Sequence, residues 1–172
     1  VLGWFLDRFG AAWVIRIGVI VFGLGFMVLS TIESLLAFYG AFIMTALGRI
    51  GQAAGIAAMN AINIAIVQSL FMPVFLATTA ASAALAVIAL LRWGEPGAMA
   101  MVAGGVLYVL GMFVVTVIFN VPLNNKLAAV LPTATDMEAQ WRAYRGPWTQ
   151  WNHVRAVAGL LSAALFALAI AR

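Results

Sequence analysis

The chain contains no cysteine and a single histidine among its 172 residues, which excludes disulfides, thiolate chemistry, iron–sulfur clusters and a Cys/His zinc site. Charge is equally scarce. Nine Lys and Arg and five Asp and Glu make up 8% of the residues, where a soluble domain carries about 25%. The resulting +4 is spread too thinly to form a nucleic-acid-binding surface, so nucleic acid is not an expected partner. Carboxylates are absent between Glu33 and Glu95 and again between Glu95 and Asp136, which argues against a proton relay at the middle of a membrane. Ligands for haem, non-haem iron or copper are missing, as is a nucleotide-binding glycine fingerprint, so no metal and no cofactor are expected. A signal-peptide pattern is missing as well. Trp4, Phe5, Asp7 and Arg8 precede a full-length apolar segment, which is expected to stay in the membrane.

What the chain does have is apolar length. Hydrophobic residues make up 66% and the mean hydropathy is +1.11, a composition that cannot cover a globule with a water-compatible surface. The bilayer is the expected solvent and partner. Uncharged stretches of about 20 residues mark crossings, and they predict an all-α, polytopic bundle of about five transmembrane helices. The spans fall near Trp13–Leu29, Glu33–Gly48, Leu70–Leu91, Ala98–Phe119 and Trp148–Ile170. The stretch Ala54–Gln68 carries Gln52, Asn60 and Asn63 close to one stripe, which suits a helix lying in the interface or against the bundle. Gly104, Gly105 and Gly111 are expected to let a neighbouring helix, within the chain or in a second copy, approach closely. Gly146-Pro147 reads as the cap and first residue of the last helix. Arg8, Arg16, Arg49, Lys126, Arg142, Arg145 and Arg155 fall on one side of such a bundle, and Arg92 and Arg172 on the other. That asymmetry places the N-terminus in the cytoplasm of a bacterial inner membrane.

Polarity is concentrated between Asn120 and Arg155. Asn120 and Asn124 flank Pro122, and Trp141, Tyr144, Trp148, Trp151, Asn152, His153 and Arg155 follow. On a helix starting near Pro147, Trp148, Trp151 and Arg155 share a face, while His153 points to another side with Thr149. Freed carbonyls and carboxamides around Pro122 can meet the start of the last helix and build a polar pocket near the interface. The plainer alternative is an interfacial aromatic belt with snorkelling cations, helix-terminating Asn and Pro residues, and a hydrogen-bonded structural histidine.

The run Gly55-Ile56-Ala57-Ala58-Met59-Asn60-Ala61-Ile62-Asn63, then Phe71-Met72-Pro73, then Phe119-Asn120-Val121-Pro122-Leu123-Asn124, then Trp141, Trp148 and Trp151-Asn152-His153-Val154-Arg155, resembles the anthrone oxygenase-like family of small membrane proteins. The resemblance spans about Tyr39 to the C-terminus. It implies a four-helix membrane domain over 39–172 and, for the named members, cofactor-independent oxidation of an anthrone by O₂. Carried onto this chain, His153 is the expected base, with Asn120, Asn124 and Arg155 stabilising an oxyanion. Trp141, Trp148 and Trp151, with Asn60 and Asn63, would hold a flat apolar molecule.

Residues 1–38 carry a different resemblance. Gly3-Trp4-Phe5-Leu6-Asp7-Arg8-Phe9-Gly10, followed by a Gly-rich span and Ile32-Glu33-Ser34, is similar to a loop motif and its following helices in the major facilitator superfamily, departing from it at Ala11 and Ala12. Two other readings therefore stand beside the enzyme: a non-catalytic structural or assembly protein, and a transporter fragment.

Overall fold

The computed structural model describes residues 40, 43–131 and 133–172. The transporter-like segment, the span at 13–29 and most of the span at 33–48 lie outside the described residues.

Within them every regular element is helical. Residues 43–47 form a helical turn, followed by α1 (Gln52–Gln68) and α2 (Phe71–Leu91). The helix α3 (Ala98–Tyr108) continues through two wide π-helical turns, Val109–Val114 and Thr116–Asn120, into α4 (Val121–Ala128). A connection follows, and then the long helix α5 (Met137–Ile170). Three of these helices are long and apolar enough to cross a membrane: Phe71–Leu91, Ala98–Ala128 and Met137–Ile170. The protein is an all-α membrane bundle.

Two helix ends differ from the sequence reading. Pro147 does not open the last helix, because α5 starts ten residues earlier and carries Pro147 in its interior. Likewise Asn120 and Pro122 do not close the preceding helix, which runs on to Ala128. Proline removes one backbone donor and crowds the carbonyl a turn earlier. At Pro147 both that carbonyl's residue, Ala143, and the proline itself lie on the exposed side, where water or headgroups can take the place of the missing bond. Pro122 follows directly on the wide turn Thr116–Asn120 and also lies on the exposed side, where the freed carbonyl can find another partner.

The continuous helices are longer than a bilayer requires. Ala98–Ala128 and Met137–Ile170 extend about 46 and 51 Å at 1.5 Å per residue, against a hydrocarbon core of about 30 Å. The polar residues of the sequence gather at the end where α4 meets the start of α5, which is where the excess length is expected to lie beyond the hydrocarbon core. α1, with 17 residues, is about 26 Å long and falls short of a full crossing.

Small residues set the spacing of the spans. A Cβ at Gly105 would stand 2.5 Å from Ser82 O and 2.8 Å from Ala86 Cβ, and one at Gly104 would stand 3.3 Å from Ser162 O. Gly111 meets Ala158 in the same way, so α3 and its continuation lie close against both α2 and α5. Ser162 Oγ donates to Gly104 O across 2.8 Å. Within lipid the helices gain nothing from hiding apolar surface, so close van der Waals packing of this kind holds them together. Gly97, the residue with positive φ at +81°, turns the chain from α2 into α3 directly beneath the Ala169 backbone. Lower in the bundle, Phe75, Tyr108 and Met112 form one buried cluster with Phe71 and Phe113 packed on it.

Candidate functional site

A second buried cluster lies at the protruding end. Because α5 runs unbroken through Pro147, Trp141, Tyr144, Trp148 and Asn152 fall at steps of three and four and share one inward stripe. All four are buried. Trp141 stacks on Tyr144 with ring centroids 5.7 Å apart, and Tyr144 meets Trp148 at 6.3 Å. Leu127 of α4, Ile56 and Met59 of α1, and Met44 complete the apolar wall.

Polar groups enter this wall from three helices. From α5 the Tyr144 hydroxyl donates to Asn124 Oδ1 across 2.9 Å. Asn120 lies one turn before Asn124 and is 2% exposed, yet neither its amide nitrogen nor its amide oxygen has a hydrogen-bond partner. From α1, Asn63 stands beside the Tyr144 hydroxyl, with its amide nitrogen outside hydrogen-bonding geometry. The same holds for Asn60 Oδ1 on α1 and for the Trp148 indole nitrogen on α5. A buried amide or indole without a partner costs about 1–3 kcal/mol. Five such atoms around one aromatic wall are unlike a core selected only for packing, in which buried polar groups are paired. Their unmet capacity comprises donors at Asn63, Asn120 and Trp148 and acceptors at Asn60 and Asn120. None of these groups is charged.

The segment ahead of α1 closes the wall. A Cβ at Gly40 would stand 2.7 Å from Asn152 Nδ2 and 3.0 Å from the Trp148 ring, and Gly48 lies under the Arg145 guanidinium. With Met44 buried between them, Gly40, Met44 and Gly48 repeat every four residues along one face against α5. Gly55 makes a similar approach to the Trp141 ring, 3.0 Å from a Cβ placed there. On the outer side of Tyr144 a shallow cavity of about 130 Å³ is lined by Leu123, Lys126, Leu127, Val130, Gln140 and Ala143.

Of the residues singled out from the sequence, Trp141 and Trp148 stand in this wall and Asn124 and Asn63 meet Tyr144, while Asn120 lies one turn before Asn124 and Asn60 one turn before Asn63. Trp151 sits beside the group, and one face of its ring is covered by Phe119 at 3.6 Å between centroids, with the planes 11° apart. Arg155 is half-buried. His153 lies on the exposed side of α5, next to Asn152 in sequence but turned about 100° from it. Among the described residues no three His, Cys, Asp or Glu side chains gather as a metal site would require. Sequence reasoning named Tyr144 and Asn152 without giving them a role, and passed over Met44 and the close approaches at Gly40 and Gly48. The stripe 141, 144, 148, 152 was available in the spacing, but treating Pro147 as a helix start cuts it in two.

A model of the anthrone oxygenase family matches residues 64–165, more than half of the chain. The match covers α2, the helix through the two wide turns, and most of α5, and so includes Asn120, Asn124, Tyr144 and Trp148. Asn60, Asn63 and the segment 40–48 contribute to the same wall from outside it. No curated protein and no solved structure matches the chain.

Proposed function

Since the chain belongs to the anthrone oxygenase family, we propose that it oxidises a flat polycyclic ketone with molecular oxygen at the membrane surface, without a metal or organic cofactor. The observation that carries this reading is the buried Asn120 carboxamide, unpaired at both ends beside the Tyr144–Asn124 hydrogen bond.

In such a reaction the substrate supplies the redox chemistry. Loss of a proton from the ring methylene opposite the carbonyl leaves an enolate whose negative charge lies largely on the carbonyl oxygen. Donors aimed at that oxygen lower the cost of deprotonation, and in a site shielded from water they act far more strongly than in solution. Asn120 Nδ2, Asn63 Nδ2 and Trp148 Nε1 are the donors assigned to this task, and Arg155 extends the set towards the membrane. The delocalised carbanion passes one electron to O₂, and the resulting radical pair combines into a peroxide anion at the same carbon. Water admitted through the cavity lined by Lys126, Gln140 and Tyr144 takes the first proton and returns it to the peroxide, giving a hydroperoxide. Loss of water then leaves a second carbonyl, so that one oxygen atom ends in the product and the other in water. Trp141, Tyr144 and Trp148 are packed on one another and on Met44, Ile56, Met59 and Leu127, so the polycycle is proposed to enter at the shallow cavity beside Tyr144 and stack on that ring.

Arg49, Lys126, Arg142 and Arg145 cluster towards the end that carries this site, and Arg92 and Arg172 mark the other. By the positive-inside rule the site opens to the cytoplasmic face of a bacterial inner membrane.

The test is anthrone turnover by the purified full-length chain in lipid nanodiscs, followed as oxygen consumption and anthraquinone absorbance. Removing one oxyanion donor is worth about 10²–10³ in kcat, so Asn120→Ala is expected to fall into that range. An inactive wild type, or a variant as fast as wild type, overturns the reading.

A further inference from the structure

The helix that carries Asn120 does not wind regularly. Val115 N–H reaches Leu110 O and Val121 N–H reaches Thr116 O, each five residues back instead of four. Thr116 Oγ1 adds a hydrogen bond to Met112 O between the two wide turns. Upstream, Tyr108 is fully buried against the bundle, and downstream Asn120 is 2% exposed. In a regular α-helix at about 100° per residue, the twelve steps from Tyr108 would carry Asn120 three full turns and about 120° further, off the face that Tyr108 occupies. Wide turns advance less per residue and bring it back. The burial pattern shows the slip directly: Met112, Val115 and Asn120 are buried, while Val117, Ile118 and Val121 are exposed. A regular helix that buried Met112 and Val115 would repeat at residues 119 and 122 instead, yet Pro122 is exposed and Phe119 only half-buried.

We infer that the wide turn Thr116–Asn120 is a positioning element that rotates the Asn120 carboxamide onto the Asn124–Tyr144 side of the bundle. Its value for catalysis rests on the reading of the preceding section; its effect on orientation does not. Isolated π turns inside α-helices carry a poorer hydrogen-bond ladder and persist where they aim a side chain. Here the side chain aimed is a buried amide with both ends unpaired.

The chain has no cysteine, so a nitroxide can be attached at one introduced cysteine at a time in the full chain in lipid vesicles, and its collision rate with O₂ measured from residue 112 to 123. The expected minima fall at 112, 115 and 120, with maxima at 117, 118 and 121. Minima at 119 and 122 overturn the inference. In a second variant, deletion of Val117 removes the extra residue, so the wide turn can close as a regular one that leaves residue 120 four steps of about 100° from the buried Val115, and a label at 120 should stay sequestered. A label at 120 that becomes lipid-exposed in that folded variant overturns the inference, and if the deletion prevents folding the scan of the undeleted chain decides. Neither readout involves turnover: a fully active Asn120→Ala variant would overturn the proposed chemistry and leave the orientation standing.

Discussion

Tyr144 and Asn124 are joined by a hydrogen bond of 2.9 Å between two helices that are each longer than a bilayer crossing requires. The contact ties the start of α5 to the last turns of α4 across an eight-residue connection, 129–136. It fixes the edge of the aromatic wall.

Tyr144→Phe keeps the ring stack with Trp141 and removes only that bond. Side-chain hydrogen bonds between membrane helices are worth about 0.6 kcal/mol on average and up to about 1.7. Asn124 is only half-buried, so a loss of about 1 kcal/mol is expected in reversible unfolding in mixed micelles. Stability equal to wild type would mean that the bond contributes nothing.

Asn120→Leu replaces the carboxamide with an apolar group of the same branching. A buried, unpaired amide costs about 1–3 kcal/mol, so this variant should unfold at a higher temperature than wild type while losing anthrone turnover. Such opposition between stability and activity is the mark of a group kept for function. A fall in both would place Asn120 among ordinary packing residues.

Gly105→Ala puts a methyl group 2.5 Å from Ser82 O and 2.8 Å from Ala86 Cβ, so α2 and α3 must separate. Overpacking of this kind costs about 1–3 kcal/mol. Gly51, with open space around it, serves as the control: Gly51→Ala should stay within about 0.5 kcal/mol of wild type. Equal unfolding transitions for the two variants would contradict the close approach at Gly105.

His153→Ala is expected to leave turnover within about twofold of wild type, the range of an exposed substitution away from the reacting atoms. Steady-state kinetics from pH 6 to 8 is the check. A loss of a hundredfold would return the proton to His153.

The residues legible in advance were those whose meaning depends on spacing along one helix. Of the stripe read as Gln52, Asn60 and Asn63, the two asparagines are half-buried and Gln52 is exposed, while Gly104 and Gly111 meet α5 and Gly105 meets α2 as close approaches. The residues misjudged were those beside prolines. At Pro122 and Pro147 local preference says stop, and tertiary packing overrules it because each proline stands on an exposed side while the opposite side of its helix is buried. Missing the continuity at Pro147 hid that Tyr144 and Asn152 share one stripe with Trp141 and Trp148, and the wide turns before Pro122 left no trace in the hydrophobic pattern.

By itself, the amino-acid sequence determined the solvent, the helical class and the approximate spans, because apolar length and scarcity of charge act additively along the chain and need no partner to be read. Tertiary structure alone decided which amides face inward and which remain unpaired. That outcome depends on the rotation of one helix against its neighbours, and a single extra residue in a turn alters it by about 100°.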